Sequence, residues 1–144
     1  MGSVWQEIVD LLILLLKKLK KRARRIAVYE DGKEVTMGAP LVNTMIRNLT
    51  LVPKDASNNP AAIQAGSMAG SSSDPGLAVT ATDTAAVLTP ATDFVSAATV
   101  TVTFTALNLH GDSITGVYSV DVVAPAAPLA THIDVIEAGD SPKP

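Results

Sequence analysis

Two hydrophobic periods divide this chain. Over residues 3–25 the apolar side chains recur at helical spacing, and from residue 26 onward they alternate in short runs broken by turn residues. Trp5, Ile8, Leu12, Leu15 and Leu19 fall at 3,4,3,4 spacing, the seam of a coiled coil. Val9, Leu11, Leu14 and Leu16 widen that seam over most of the circumference. Ser3-Val4-Trp5-Gln6 fits the capping box, Glu7 and Asp10 lie early, and Lys17, Lys18, Lys20, Lys21, Arg22, Arg24 and Arg25 crowd the far end. With no Gly or Pro between positions 3 and 25, the pattern predicts one amphipathic helix of roughly 23 residues, about 34 Å long at 1.5 Å per residue.

Beyond it, Ile26–Glu30, Asp31-Gly32 and Lys33–Met37 predict a hairpin, because Asp-Gly suits the positive φ angles of a type I′ turn. Gly38-Ala39-Pro40 is then the expected linker. Strands are predicted over Met45–Val52, Ala62–Gln64 (short), Leu77–Thr82, Ala86–Thr89, Thr99–Leu107, Ile114–Val123 and His132–Glu137. Loops are expected over Lys54–Pro60 and Gly66–Gly76. The clearest strand sets Val100, Val102, Phe104 and Ala106 inward and Thr99, Thr101, Thr103 and Thr105 outward. In the next one Tyr118, Val120 and Val122 face inward. About seven short strands at this spacing predict an antiparallel β-sandwich with a small aliphatic core, so the fold class is mainly β with one long N-terminal helix.

Charge sharpens the division. The chain has 144 residues and a net charge of −3, which is a sum of opposites. Residues 1–25 hold seven Lys/Arg against two acids, or +5; residues 26–144 hold four against twelve, or −8. No Lys or Arg lies between Asp55 and Pro142. Zero cysteines exclude a disulfide scaffold, a thiol nucleophile and a Cys-built zinc site.

So apolar a helix needs cover. A signal peptide would carry its positive charge before the apolar core, and a transmembrane span needs about 20 apolar residues where Leu11–Leu16 is the unbroken run. Three readings stay open: packing against copies of itself or a neighbouring protein, lying on a membrane surface with Lys17–Arg25 on anionic headgroups, and docking on the chain's own sheet. The basic run lacks interleaved aromatics and a groove-reading motif, so base-specific contact with nucleic acid is not expected. A docking patch for an acidic neighbour is the expectation.

Candidate chemistry is sparse. His110 and His132 have no ligand cluster beside them, and Asp74, Asp83, Asp93 and Asp112 sit in expected loops where Asx-turns are common. A calcium site would need the alternating Asp/Asn/Gly signature that these loops lack. Ser67, Ser71, Ser72 and Ser73 have no nucleophile elbow, and Gly66, Gly70 and Gly76 form no phosphate loop. The sequon Asn48-Leu49-Thr50 reads as a strand segment. No catalytic residue, metal or cofactor is expected.

The strand region carries a resemblance. Leu51-Val52-Pro53-Lys54-Asp55-Ala56-Ser57-Asn58-Asn59-Pro60-Ala61, Ser72-Ser73-Asp74-Pro75, Thr99–Ala106, Ile114–Val123 and Ile136-Glu137-Ala138-Gly139 stand in that order. Together they resemble the bacterial Ig-like group 2 type of domain, in the small stand-alone version found among tailed-bacteriophage structural proteins. The likeness spans about residues 43–140 and excludes the helix. Gly70 stands about where that family commonly has an aromatic. The resemblance implies an Ig-like sandwich for binding or display in an assembled particle, with no catalytic residues.

The resulting expectation is a virion structural protein, a capsid decoration, cement or projecting accessory protein. Residues 1–25 are the anchoring helix, 26–40 a hairpin and linker, 41–140 the Ig-like sandwich and 141–144 a tail. Trp5, Ile8, Leu12, Leu15 and Leu19 form the oligomer or anchor interface, and Lys17, Lys18, Lys20, Lys21, Arg22, Arg24 and Arg25 the basic docking patch. Its partners would be capsid or tail proteins, copies of itself in a homo-oligomer, and a host surface. The alternative is a bacterial surface or periplasmic Ig-like module tethered to a membrane surface by the basic helix.

Overall fold

The computed structural model describes residues 2–127 and 130–143, with the side chains of residues 2 and 17–20 outside that description. Helix α1 (Gly2–Lys21) precedes ten strands: β1 (Arg25–Glu30), β2 (Lys33–Glu34), β3 (Leu41–Val42), β4 (Arg47–Lys54), β5 (Ala69–Ser72), β6 (Leu77–Ala81), β7 (Ala85–Pro90), β8 (Val100–Leu107), β9 (Ser113–Val120) and β10 (Val122–Val123). The five-stranded antiparallel sheet runs β2-β1-β4-β7-β6 and the three-stranded one β5-β8-β9; β3 and β10 form a parallel pair. The molecule is mainly β with one helix.

The helix is shorter than its pattern predicts. It ends at Lys21, four residues early, and Ala23 is fully buried in the core before the chain enters β1 at Arg25. The hairpin turn forms as predicted, with φ of 50° at Asp31 and 79° at Gly32. Its return strand does not. Only Lys33–Glu34 pairs with β1; the Val35 N–H then donates to Val28 O, Thr36 O accepts from the Ser119 N–H, and the chain reaches β10 through β3. Residues 26–40 are therefore built into the fold instead of linking two parts, since β1 lies between β2 and β4 and buries Ile26 and Val28.

Four other expectations shift. β4 runs on through Pro53 to Lys54, because the N–H that proline lacks would face the side where β7 pairing has already ended at Thr50. Within the expected 66–76 loop, Ala69–Ser72 forms β5, held by β8 despite its weak strand propensity. A Cβ on Gly70 would lie 2.6 Å from Val79 Cγ1 and 3.1 Å from Phe104 Cε1, so an aromatic has no room at that place. Ala62–Gln64 reduces to a single bridge from Ile63 to Asn108. The predicted last strand, His132–Glu137, is unpaired: Ile133, Val135 and Ile136 are 90%, 92% and 87% exposed. Its alternation is strand-like, but no sheet edge receives it.

The alternating strands behave as read. Val100, Val102, Phe104 and Ala106 of β8 are buried, as are Tyr118, Val120 and Val122. They join Ile26, Val28, Leu49, Leu51 and Leu88 of the five-stranded sheet in one core. The two sheets approach closely at Gly116, where a Cβ would stand 2.3 Å from the Ile26 carbonyl oxygen.

Candidate functional site

α1 stands uncovered. Every described side chain from Ser3 to Leu16 is exposed, Trp5 at 71% and Leu11 at 66%, so the chain's own sheets do not bury it. Trp5, Ile8, Leu12 and Leu15 are on the surface with Val4, Val9, Leu11, Ile13, Leu14 and Leu16; the side chain of Leu19 lies outside the described residues. The expected capping box is not what begins the helix. Helical structure already includes Gly2, and the Gln6 amide donates to Asp10 Oδ1 at 3.0 Å, one turn further on. No helix among the described residues is long and apolar enough to cross a membrane. Burying a Leu or Ile side chain contributes ~1.5–3 kcal/mol, so α1 is a large unused source of association energy.

The basic run is divided between surface and fold. Lys21 and Arg24 are exposed. Arg22 meets Asp112 at 3.2 Å, while Arg25 donates to Glu34 and to Asn58 Oδ1. The Arg25 hydrogen bond holds the Glu34 carboxyl below the usual carboxylate range, and Lys54, 3.7 Å from Glu34, adds to it. Arg22 and Arg25 thus join the helix exit to the body. Lys17, Lys18 and Lys20 have side chains outside the described residues.

At the foot of α1 the loops after β4 and β8 border an open groove of about 800 Å³. Its apolar floor includes Pro60, Ala61, Ala62 and Leu109, and Lys21, Arg22 and His110 supply the cationic or titratable rim. Local hydrogen bonds set both loops. Asp55 Oδ1 accepts from the Ser57 and Asn59 N–H groups at 2.9 and 3.0 Å, and Asn108 Oδ1 accepts from those of His110 and Asp112 at 2.9 and 3.0 Å. Asn108 Nδ2 then donates to Ala23 O at 3.0 Å, tying the groove to the end of the helix. Residues far apart in sequence make this groove, and no single motif announces it.

The remaining candidates serve loops. Asp74 Oδ1 accepts from the Gly76 N–H at 2.9 Å, and the Asp83 carboxylate accepts from those of Gly66 and Met68 at 2.7 and 3.3 Å. Asp93 occupies a turn with φ of 61°. Ser67, Ser72 and Ser73 bond to backbone groups; no such bond is seen for Ser71. Asn48 and Thr50 lie in β4. His110 is in the β8–β9 turn and His132 stands 3.1 Å from Asp134 in the exposed tail. Among the described residues no three His, Asp or Glu side chains converge as a metal site. No family model, curated protein or solved structure matches this chain.

Proposed function

We propose that this chain is a bacteriophage virion structural protein whose N-terminal helix anchors it while an Ig-like β-sandwich is displayed. The observation that carries the reading is the helix: ten large apolar side chains stand exposed on an element attached to a body that has its own closed core. Such a surface is covered by a protein partner or a membrane, or it aggregates. Two antiparallel sheets sharing one aliphatic core, with a segment that leaves β1's sheet to run beside β10, support the sandwich. The ordered likeness over residues 43–140 supports the Ig-like type and the particle setting.

In mechanism, Trp5, Ile8, Leu12 and Leu15 bury against sister helices or a capsid or tail groove, and Lys21 and Arg24 face an acidic neighbour. The body, without Lys or Arg from Asp55 to Pro142, projects into solvent. Leu12→Asp with Leu15→Asp tests this. Both self-association in sedimentation and incorporation into particles should be lost, while the far-UV spectrum of the strands is kept; unchanged incorporation refutes the anchor. Flotation with anionic vesicles separates the membrane alternative, since salt-sensitive binding of the full chain to lipid would favour a tether.

A further inference from the structure

We propose that α1 packs antiparallel against α1 of a second copy. The inference rests on the reading of α1 as the association surface and deepens it by naming the partner and its direction. Val4, Ile8, Leu11, Leu12, Leu15 and Leu19 are spaced 4, 3, 1, 3 and 4 residues apart, a series that reads the same in both directions. Its centre lies between Leu11 and Leu12, which is also the midpoint of Gly2–Lys21. At about 100° per residue these positions share one stripe about 100° wide, and Val4, Ile8, Leu11, Leu12 and Leu15 are all exposed on it. Two such helices laid antiparallel over their full length set Ile8 opposite Leu15, Leu11 opposite Leu12, and position 4 opposite position 19. A two-fold interface needs a surface complementary to itself, and this stripe is one.

The edges of the stripe set the direction. By the same helical spacing Glu7 and the lysine position 18 flank one side, and Trp5, Val9 and Leu16 flank the other. An antiparallel pair brings like edges together. Glu7 of each copy then stands within one turn of position 18 of the other, and Trp5 within one turn of Leu16 of the other. A parallel pair joins unlike edges. Glu7 would meet Trp5 and Val9, charge against apolar surface, and the lysine-rich ends at positions 17–21 would abut each other. It would also crowd together two bodies whose residues 26–144 carry −8 each. Antiparallel packing holds those bodies at opposite ends of a helix about 30 Å long, several screening lengths apart. The approach is open, since every described side chain from Ser3 to Leu16 is exposed. Ile13 and Leu14 fall off the stripe and remain for the particle under the anchoring reading.

The chain has no native cysteine, so cross-linking reads the direction. Full-length chains carrying Ile8→Cys and chains carrying Leu15→Cys are mixed under mild oxidation. Antiparallel packing brings these two positions together, while each lies about 10 Å along the axis from its equivalent in the other copy, beyond disulfide reach. The mixed disulfide should form at least ~10-fold faster than either homodimeric one. Ile8→Cys linking to itself as fast as to Leu15→Cys, or faster, overturns the proposal. In sedimentation Glu7→Lys should weaken dimerisation several-fold, and Lys18→Glu added to the same chain should restore it. Asp10→Lys, on the opposite side of the helix, should change it less. A double variant no tighter than Glu7→Lys alone, with helix content unchanged in the far-UV spectrum, also overturns the proposal. So does a full chain that stays monomeric by itself and associates only with anionic vesicles or with particles. If the mixed cross-link forms as expected while Leu12→Asp with Leu15→Asp leaves particle incorporation intact, the anchoring reading fails and the antiparallel pair stands. The reverse result overturns the pair alone.

Discussion

Asn108, only 2% exposed, uses both ends of its amide: the oxygen accepts two turn N–H groups and the nitrogen donates to Ala23 O and, at 3.3 Å, to Asp112 Oδ2. It thereby closes the β8–β9 turn and fixes the point where α1 ends. Asn108→Ala leaves those groups without their partner and should lower stability by ~2–3 kcal/mol in urea titration. A loss under ~0.5 kcal/mol would show that water replaces the side chain. Tyr118 is buried under the Arg47–Glu30 pair, whose atoms lie 3.1 Å apart; its hydroxyl donates to Glu30 Oε2 at 3.2 Å and accepts from Arg47 Nη1 at 3.0 Å. Burial raises the phenol's pKa, and Arg47 offsets only part of that rise. The folded state then holds this proton more tightly than the unfolded one. Its contribution is unchanged below the unfolded value, about 10, and is lost as pH rises through the raised folded one. The melting temperature should fall across that alkaline window, and Tyr118→Phe should start lower and fall less steeply. Parallel slopes for the two proteins would remove Tyr118 as the cause.

At the scale of elements, α1 and the sheets are energetically separate, because the described side chains from Ser3 to Leu16 contribute nothing to the core. Deleting residues 1–21 should change the unfolding free energy of the body by less than ~0.5 kcal/mol while reducing association of the chain. A larger loss in chemical denaturation would mean that the helix rests on the sheets in solution. The same separation explains what was legible in the sequence. β8 and β9 read correctly because one face is buried along their length, while the other carries Thr in β8 and Ser113, Thr115, Val117 and Ser119 in β9. The helix read correctly because nothing interrupts its period, although its final residues yielded to the burial of Ala23. β5 was illegible: Ala-Gly-Ser-Ser owes its strand to β8 and to the space left by Gly70. The tail failed in the opposite sense, since residues 132–137 have strand periodicity and pair with no strand among the described residues. The groove was illegible because it joins Lys21, Ala62 and Leu109 only after folding.

Over the whole molecule, charge and packing have the same polarity. The cationic residues gather where the helix leaves the body, and the long acidic remainder ends in an exposed tail. That distribution makes trypsin a probe of orientation. Between Asp55 and Pro142 it has no cleavage site, while Lys33, Arg47 and Lys54 belong to paired strands, with Lys54 only 7% exposed. Cleavage of the dispersed chain should therefore begin at the exposed stretch around Lys21 and release a folded body that keeps its C-terminus, because Lys143 precedes Pro144 and trypsin does not cut a Lys–Pro bond. Under the anchoring proposal the helix and its basic end are covered in the assembly, and the same cuts should then slow at least ~10-fold. Mass spectrometry of timed digests reads the new N-terminus of the body. Equal rates at Lys21 in dispersed and assembled protein would place the helix outside the contact and overturn the orientation. Because opening of the strands is required for internal cuts, a loss of protection at Lys33 or Arg47 identifies unfolding instead of exchange at the anchor.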